Sequence, residues 1–261
     1  MSAKKRIFAI VKKYGLIGKT LTHSWSQRWF EAMFAREKVS DTEYRLYELP
    51  SATGVRQWAL DNGLAGFNVT IPYKEQVLTQ LDSLDATADA IGAVNCVRVV
   101  DGKLLGTNTD APAFRDTLRP LLQPWHQSAL VLGTGGAAKA VCHALNQLNI
   151  ESTMVSRNPE ENTGSIDYLE AAEHATNCFI IINATPVGMH PYPAGTPWPH
   201  PSSLTHKHLC YDLVYNPMQT RFLKEAMAQG ATIQGGLAML ERQAQLSWEY
   251  WTKEIYGFCS Q

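Results

Sequence analysis

Four short polar clusters hold the side chains best suited to chemistry: His23-Ser24-Trp25-Ser26, Asn68-Val69-Thr70-Ile71-Pro72-Tyr73-Lys74, Gly92-Ala93-Val94-Asn95 and Gly106-Thr107-Asn108-Thr109-Asp110. Each lies at the end of an apolar run, where ligand sites of α/β folds gather. Taking a hydride from a secondary alcohol requires a group that accepts the hydroxyl proton, and Lys74 and Asp110 are the candidates. Pro72 reads as a helix start, which places Lys74 in a first turn whose positive end disfavours the cation, while a neighbouring Asp110 carboxylate pushes the other way. From spacing alone, an exposed helix-start lysine is an equal alternative. Ser24 and Ser26 alternate, so in extended chain both hydroxyls point one way and can donate to a carboxylate; they serve equally as a cap for a helix beginning at Gln27. His23 reads as a structural hydrogen-bonding residue. His206 and His208 read as surface histidines flanking Lys207 with no third ligand at a recognisable spacing, so no metal is expected.

A second chemistry is written in Leu130-Val131-Leu132-Gly133-Thr134-Gly135-Gly136-Ala137-Ala138-Lys139-Ala140-Val141, an apolar strand running through glycines into a helix-forming segment. Glycines at such a turn let backbone N–H groups approach a pyrophosphate, and the helix N-terminus adds partial positive charge. The pattern departs from G-x-G-x-x-G, because Ala138 stands where the third glycine is usual. Ser152 to Ser156 completes a βαβ unit. Folds that bind NAD place an acid at this strand end for the ribose 2′-hydroxyl; here Ser156 is followed by Arg157, which suits the 2′-phosphate of NADP. Glu160 and Glu161 oppose that phosphate if they point inward, and a solvated surface arginine is the alternative for Arg157.

The elements that must position these groups alternate between short apolar strands and longer amphipathic segments, a pattern of α/β architecture with parallel sheets. The expected strands are Tyr14–Gly18, Tyr44–Leu49, Phe67–Ile71, Val94–Val100, Lys103–Thr107, Leu130–Gly133, Ser152–Ser156, Phe179–Asn183, Leu209–Val214 and Thr232–Gln234. Asp101-Gly102 signals a hairpin. Apolar residues at helical spacing mark one helix through Trp29, Phe30, Met33 and Phe34, and a last one through Leu237, Leu240, Ala244, Trp248 and Trp251. Six prolines between Thr185 and Ser202 mark a long surface loop, either a lid or a plain excursion.

The 261 residues suffice for one large or two ordinary domains, and a net charge of −1 gives no electrostatic footprint for nucleic acid. No run approaches the roughly 18 apolar residues of a membrane span, and the apolar stretch after Lys4, Lys5 and Arg6 is too short for a signal peptide. Five scattered cysteines without a C-x-x-C pair read as reduced, buried thiols of a cytoplasmic protein.

Taken in order, these motifs resemble the shikimate dehydrogenase family from Tyr14 to the last helix. The resemblance is carried by Gly18 through Ser26, Asn68 through Lys74, Gly92 through Asn95, Asn108-Thr109-Asp110 and Gly133 through Ala137. It continues in Asn183-Ala184-Thr185-Pro186, Tyr211 through Pro217 and Gly235 through Gln243. It implies reversible NADP-dependent reduction of 3-dehydroshikimate to shikimate, in the pathway to chorismate and the aromatic amino acids. By the same resemblance Ser24, Ser26, Thr70, Asn95, Tyr215 and Gln243 bind substrate, with Lys74 transferring the proton beside Asp110. Gly133, Gly135, Gly136, Ala137, Ser156, Arg157, Asn183, Thr185, Leu213 and Gly236 line NADP. The implied fold has two domains: residues 1–110 plus 237–261 form an α/β substrate domain with a mixed sheet, and residues 111–236 form a Rossmann-like NADP domain. The last helix returns to the first domain, and the protein is expected as a monomer or homodimer.

The sequence departs from the family at Gln27 and Trp29-Phe30, where a proline and then a histidine-asparagine pair are common, and at Ser156-Arg157-Asn158, where Asn-Arg-Thr is common. Two alternatives follow: a quinate dehydrogenase using NAD, and a non-catalytic sensor of the same ligand. A sensor has no use for a Lys74 and Asp110 proton-transfer pair.

Overall fold

The computed structural model describes residues 11–22, 24–161 and 164–253; the expectations for Lys4 through Ile10, His23 and Cys259 fall outside them. The described chain divides into two compact units. Unit 1 holds the residues up to Asp85, Val94–Thr107 and those from Ser247; unit 2 holds Ala86–Ala93 and Asn108–Leu246.

Unit 1 is built on β1 (Lys12–Gly18), β2 (Thr42–Glu48), β3 (Leu64–Val69), β4 (Ser83–Leu84), β5 (Cys96–Val100) and β6 (Lys103–Thr107), with helices α1 (Ser26–Glu37), α2 (Val55–Asp61) and α3 (Tyr73–Gln76). The sheet order is β2-β1-β3-β5-β6-β4. β1 runs parallel to β2 and β3, whereas β5 is antiparallel to β3 and β6, so the sheet is mixed. Asp101 and Gly102 take φ of 50° and 73°, the left-handed pair that a two-residue hairpin between β5 and β6 requires. An aromatic core explains why this sheet holds its helices. Phe30 of α1 stacks on Tyr44 of β2 at 4.1 Å between ring centres, and Trp251 stacks on Tyr14 at 4.7 Å. The Trp251 indole donates to the carbonyl of Val97 at 2.9 Å, which satisfies its one polar atom in the core.

Unit 2 carries α4 (Ala86–Ile91), α5 (Asp110–Leu118), α6 (Gly136–Gln147), α7 (Tyr168–His174), α8 (Arg221–Ala228) and the start of α9 (Leu237–Thr252) around a second sheet. Its strands are β7 (Ser128–Leu132), β8 (Glu151–Val155), β9 (Ser165–Ile166), β10 (Ile180–Asn183), β11 (Leu209–Asp212) and β12 (Thr232–Gln234). They are ordered β12-β11-β10-β7-β8-β9, and every pairing is parallel. Strand direction and period 2 place Ala129 and Val131 in one core and Leu130 and Leu132 in the other; Ile180 and Ile182 separate from Ile181 in the same way. Both faces are therefore buried, which is why these strands read as unbroken apolar runs. This is the doubly wound order of a dinucleotide fold, and it reverses between β7 and β10.

Several expectations change. β4 and β9 are two-residue strands, too short to leave an alternation in the sequence. β5 begins at Cys96, after Val94 and Asn95, and β11 ends at Asp212, before Leu213 and Val214. The helix after Pro72 is one turn, α3, followed by a 3-10 turn at Val77–Gln80, so its dipole is small. The proline-rich loop is not a plain surface excursion. Trp198 within it is fully buried and donates to the carbonyl of His200 at 2.9 Å, and a 3-10 turn forms at Pro201–Ser203. Of the cysteines, Cys96, Cys178 and Cys210 are buried free thiols, and Cys142 is half-buried. Among the described residues no helix is long and apolar enough to cross a membrane.

Candidate active site

In unit 1 the candidate residues collect at the ends of β1, β3 and β5. Ser24 precedes α1, and its hydroxyl accepts from the Ser26 backbone N–H at 3.3 Å. The residue before the helix, Trp25, contributes no side-chain cap. Ser26 is buried, and its hydroxyl bonds to the Tyr44 phenol, which burial holds well above its ordinary pKa. That phenol donates to Asn68 Oδ1 at 2.9 Å. Asn68 Nδ2 in turn donates to the carbonyl of Asn95 at 3.1 Å and to Ser247 Oγ at 2.8 Å. One satisfied buried network therefore supports Ser26 and Asn95 together.

Thr70 follows β3, and its N–H donates to the carbonyl of Ile17 at 3.0 Å. A Cβ on Gly18 would lie 2.6 Å from the Thr70 methyl, so this glycine permits the close approach of the two strand ends. Lys74 sits in α3, half-buried. Two bonds anchor that single turn: Tyr73 Oη donates to the carbonyl of Leu49 at 2.6 Å, and the carbonyl of Lys74 accepts from Val94 N–H at 2.8 Å.

In unit 2, Asp110 opens α5 and is buried. Asn108 Oδ1 accepts from the N–H groups of Asp110 and Ala111 at 3.0 and 3.2 Å, while Asn108 Nδ2 donates to the carbonyl of Ala93 at 2.9 Å. The first turn is thereby tied to the Gly92 cluster. Tyr215 lies half-buried beyond β11, and Gln243 lies half-buried on α9 with Nε2 donating to the carbonyl of Leu240 at 2.9 Å. The two proton-transfer candidates thus belong to different units, Lys74 to unit 1 and Asp110 to unit 2.

The cofactor candidates all lie in unit 2, around the switch point between β7 and β10. Gly133 has φ of 111°, a backbone only glycine takes without strain, and its N–H donates to the carbonyl of Val155 at 2.9 Å. Gly135 caps α6 with no side-chain hydrogen bond, and a Cβ there would meet nothing within 4 Å. Gly136 and Ala137 open α6, and the backbone N–H groups of a first helical turn are a donor set that fits a diphosphate. Ala138, where the common pattern has glycine, is fully buried and belongs to the same core as Val131.

Ser156 is buried at the end of β8, with its Oγ accepting from Asn158 N–H at 3.1 Å. Arg157 is exposed and lowers the pKa of Tyr168, which burial otherwise raises. Asn158 Nδ2 donates to Glu161 at 3.3 Å, which engages that carboxylate. Asn183, Thr185, Leu213 and Gly236 surround the ends of β10 and β11. Asn183 Oδ1 accepts from Thr185 N–H at 3.0 Å, and the carbonyl of Asn183 accepts from Leu213 N–H at 2.9 Å. A Cβ on Gly236 would fall 2.1 Å from the carbonyl oxygen of Leu213, so only glycine fits.

The histidine pair needs correction: His206 is exposed, but His208 is 1% exposed, bonded to Thr205 through Nδ1 and to the carbonyl of Ala175 through Nε2. The β11 strand start carries it into the core. Tyr44 and Asp212 are supporting residues outside the expected set: Tyr44 looks like an ordinary strand residue, whereas Asp212 is marked as the one charged side chain in the apolar stretch Leu209–Val214.

Residues 16–97 match the family model described as the shikimate dehydrogenase substrate binding domain. The chain is 37% identical to the shikimate dehydrogenase (NADP(+)) of Salinibacter ruber, over 91% of this chain and 90% of that one. A Thermus thermophilus shikimate 5-dehydrogenase solved in complex with NADP(H) and shikimate superposes with a TM-score of 0.83 at 33% identity, over 95% of each chain. The quinate dehydrogenase of Corynebacterium glutamicum in complex with NAD superposes with a TM-score of 0.80 at 28% identity, over 94% of each chain.

Proposed function

The chain belongs to the shikimate dehydrogenase family, and on that premise we propose that it interconverts 3-dehydroshikimate and shikimate with NADP. The observation that carries the dinucleotide part is the α6 N-terminus: Gly135 is open to 4 Å, at the switch point of a parallel sheet. Bound there, NADP would supply hydride-transfer chemistry at the ring carbon that bears oxygen.

The protein's own groups do the rest. Lys74 holds or accepts the proton of that oxygen, and Asp110, fixed by Asn108 at the start of α5, orients it. Ser24 and Ser26 bind the substrate carboxylate; Thr70, Asn95, Tyr215 and Gln243 complete the substrate site. Residues 1–110 plus 237–261 form the substrate domain and residues 111–236 the NADP domain, with Ser156 and Arg157 at the 2′-phosphate and Leu213, Gly236, Asn183 and Thr185 lining the rest of the cofactor. The enzyme works in the cytoplasm on a free small molecule, as a monomer or homodimer.

A dehydrogenase of quinate using NAD is the second reading; its cofactor part is favoured because Arg157 is the one basic residue in Ser156–Glu161. The test follows nicotinamide absorbance with shikimate and quinate, each with NADP and NAD, in wild type and Lys74→Ala. Turnover of shikimate with NADP, reduced about a hundredfold or more in kcat by the substitution, is the expected result. Turnover only with quinate or NAD redirects the assignment. Tight ligand binding with no turnover in any combination replaces the enzyme with a sensor.

A further inference from the structure

Asp212 is fully buried and takes no part in the proton path above. It ends β11 directly opposite Asn183, which ends β10. Its Oδ1 accepts from Asn183 Nδ2 at 2.8 Å and from Val214 N–H at 2.9 Å; its Oδ2 accepts from Thr220 Oγ1 at 2.6 Å. These partners are all neutral, and burial pushes the carboxyl up to about 6. A charge so placed is costly, and an apolar side chain would fill a strand end at less expense if packing were its purpose.

The geometry around each oxygen differs. On the Oδ1 side the Asn183 amide has one orientation, because its own Oδ1 accepts from Thr185 N–H and Oγ1 at 3.0 and 2.6 Å while Nδ2 also donates to the carbonyl of Val187 at 3.2 Å. Val214 is held at both ends, by Asp212 at its N–H and by Gly236 N–H at its carbonyl at 3.2 Å, and Tyr215 follows it directly. On the Oδ2 side Thr220 caps α8, its Oγ1 accepting from Leu223 N–H at 3.4 Å. One oxygen thus serves two ligand-bearing segments, and the other serves a helix end.

We propose that Asp212 is a positioning residue whose Oδ1 holds the Asn183–Thr185 segment and the Tyr215 turn in a single register, so that cofactor and substrate affinity both depend on it. The proposal rests on the reading that Asn183 and Thr185 meet the cofactor and Tyr215 the substrate. Asparagine at 212 can keep an acceptor oxygen facing Asn183 and Val214 while its amide donates to Thr220. Glutamate keeps the charge but moves the oxygens by a methylene.

The experiment measures Michaelis constants for shikimate and NADP, with thermal unfolding, in wild type, Asp212→Ala, Asp212→Glu, Asp212→Asn and Thr220→Val. Alanine and glutamate are expected to raise both constants about tenfold or more, asparagine to restore them to within about threefold, and Thr220→Val to lower only the unfolding temperature. If alanine fails to fold, glutamate carries the test alone. Glutamate with both constants within about twofold of wild type, or Thr220→Val shifting them as far as glutamate does, overturns the positioning role. Wild type without turnover of shikimate and NADP removes the parent reading and this one with it; normal wild-type turnover separates the two.

Discussion

Replacing Gly135 with alanine separates what the glycine loop does for the fold from what it does for the ligand. The new Cβ meets no protein atom within 4 Å, and the backbone at φ −77° and ψ −178° suits any residue. Two small effects then act on stability. Alanine is a poorer helix N-cap than glycine by roughly 0.5–1 kcal/mol, and the loss of glycine's freedom in the unfolded chain returns about 0.4–1 kcal/mol. They nearly cancel, so the unfolding temperature without ligand should stay within about 3 °C of wild type. On the proposed reading the diphosphate sits against this turn, and the methyl takes up part of the open space beside it. The NADP dissociation constant should therefore rise about tenfold or more, read by fluorescence titration, and the thermal shift that NADP gives wild type should shrink accordingly. A Gly135→Ala variant with unchanged stability and unchanged NADP affinity would refute the placement of the diphosphate at α6.

Two further outcomes follow from single side chains. Arg157→Ala should raise KM for NADP about tenfold and leave KM for NAD unchanged, because one charge-assisted contact to a phosphate at an exposed strand end is worth about 1.5 kcal/mol; equal effects on both cofactors would place the 2′-phosphate elsewhere. The raised Asp212 carboxyl gives stability a pH dependence of definite sign. Its pKa rises from 3.8 to about 6 in the fold, so the native state binds the proton more tightly, and the stabilisation present below pH 3.8 is lost as pH rises through 6. The gap corresponds to at most about 3 kcal/mol. Urea unfolding at pH 5 and pH 8 should show a steeper loss in wild type than in Asp212→Asn; parallel slopes would mean that the carboxyl titrates normally.

Much of this arrangement is legible in the chain because it is local. The glycines from Gly133 to Gly136 lie between an apolar run and a helix-forming run, and adjacency in sequence is adjacency in space at a strand-to-helix turn. The Asp101-Gly102 hairpin is fixed in the same way, by two residues that accept positive φ. The β7, β10 and β11 strands are legible because burial on both faces removes polar residues from most of their length. Where local signals are absent, sequence pattern and structure part. Two-residue β4 and β9 have no period to read, and the helix expected to start at Pro72 narrows to 3-10 geometry after Gln76. Leu213 and Val214 have strand composition, yet the Asp212 side chain takes the Val214 N–H and turns the chain out of the sheet.

The sequence by itself determined the α/β class and the dinucleotide turn, which depend on residues within a few positions of one another, and the family, through the order of such local motifs along the chain. Which strand lies beside which was decided only in three dimensions. β5 pairs with β3 in antiparallel sense, β7 lies between β8 and β10, and α9 contributes Met239, outside the apolar stripe, to the core of unit 2 and Trp251 to unit 1, against Tyr14. The supporting network of Ser26, Tyr44, Asn68 and Ser247 belongs to the same class of fact. Asn68 and Ser247 are 179 residues apart, and a buried amide selects its partners by the direction of the donors and acceptors that packing brings within about 3 Å, which no local spacing encodes.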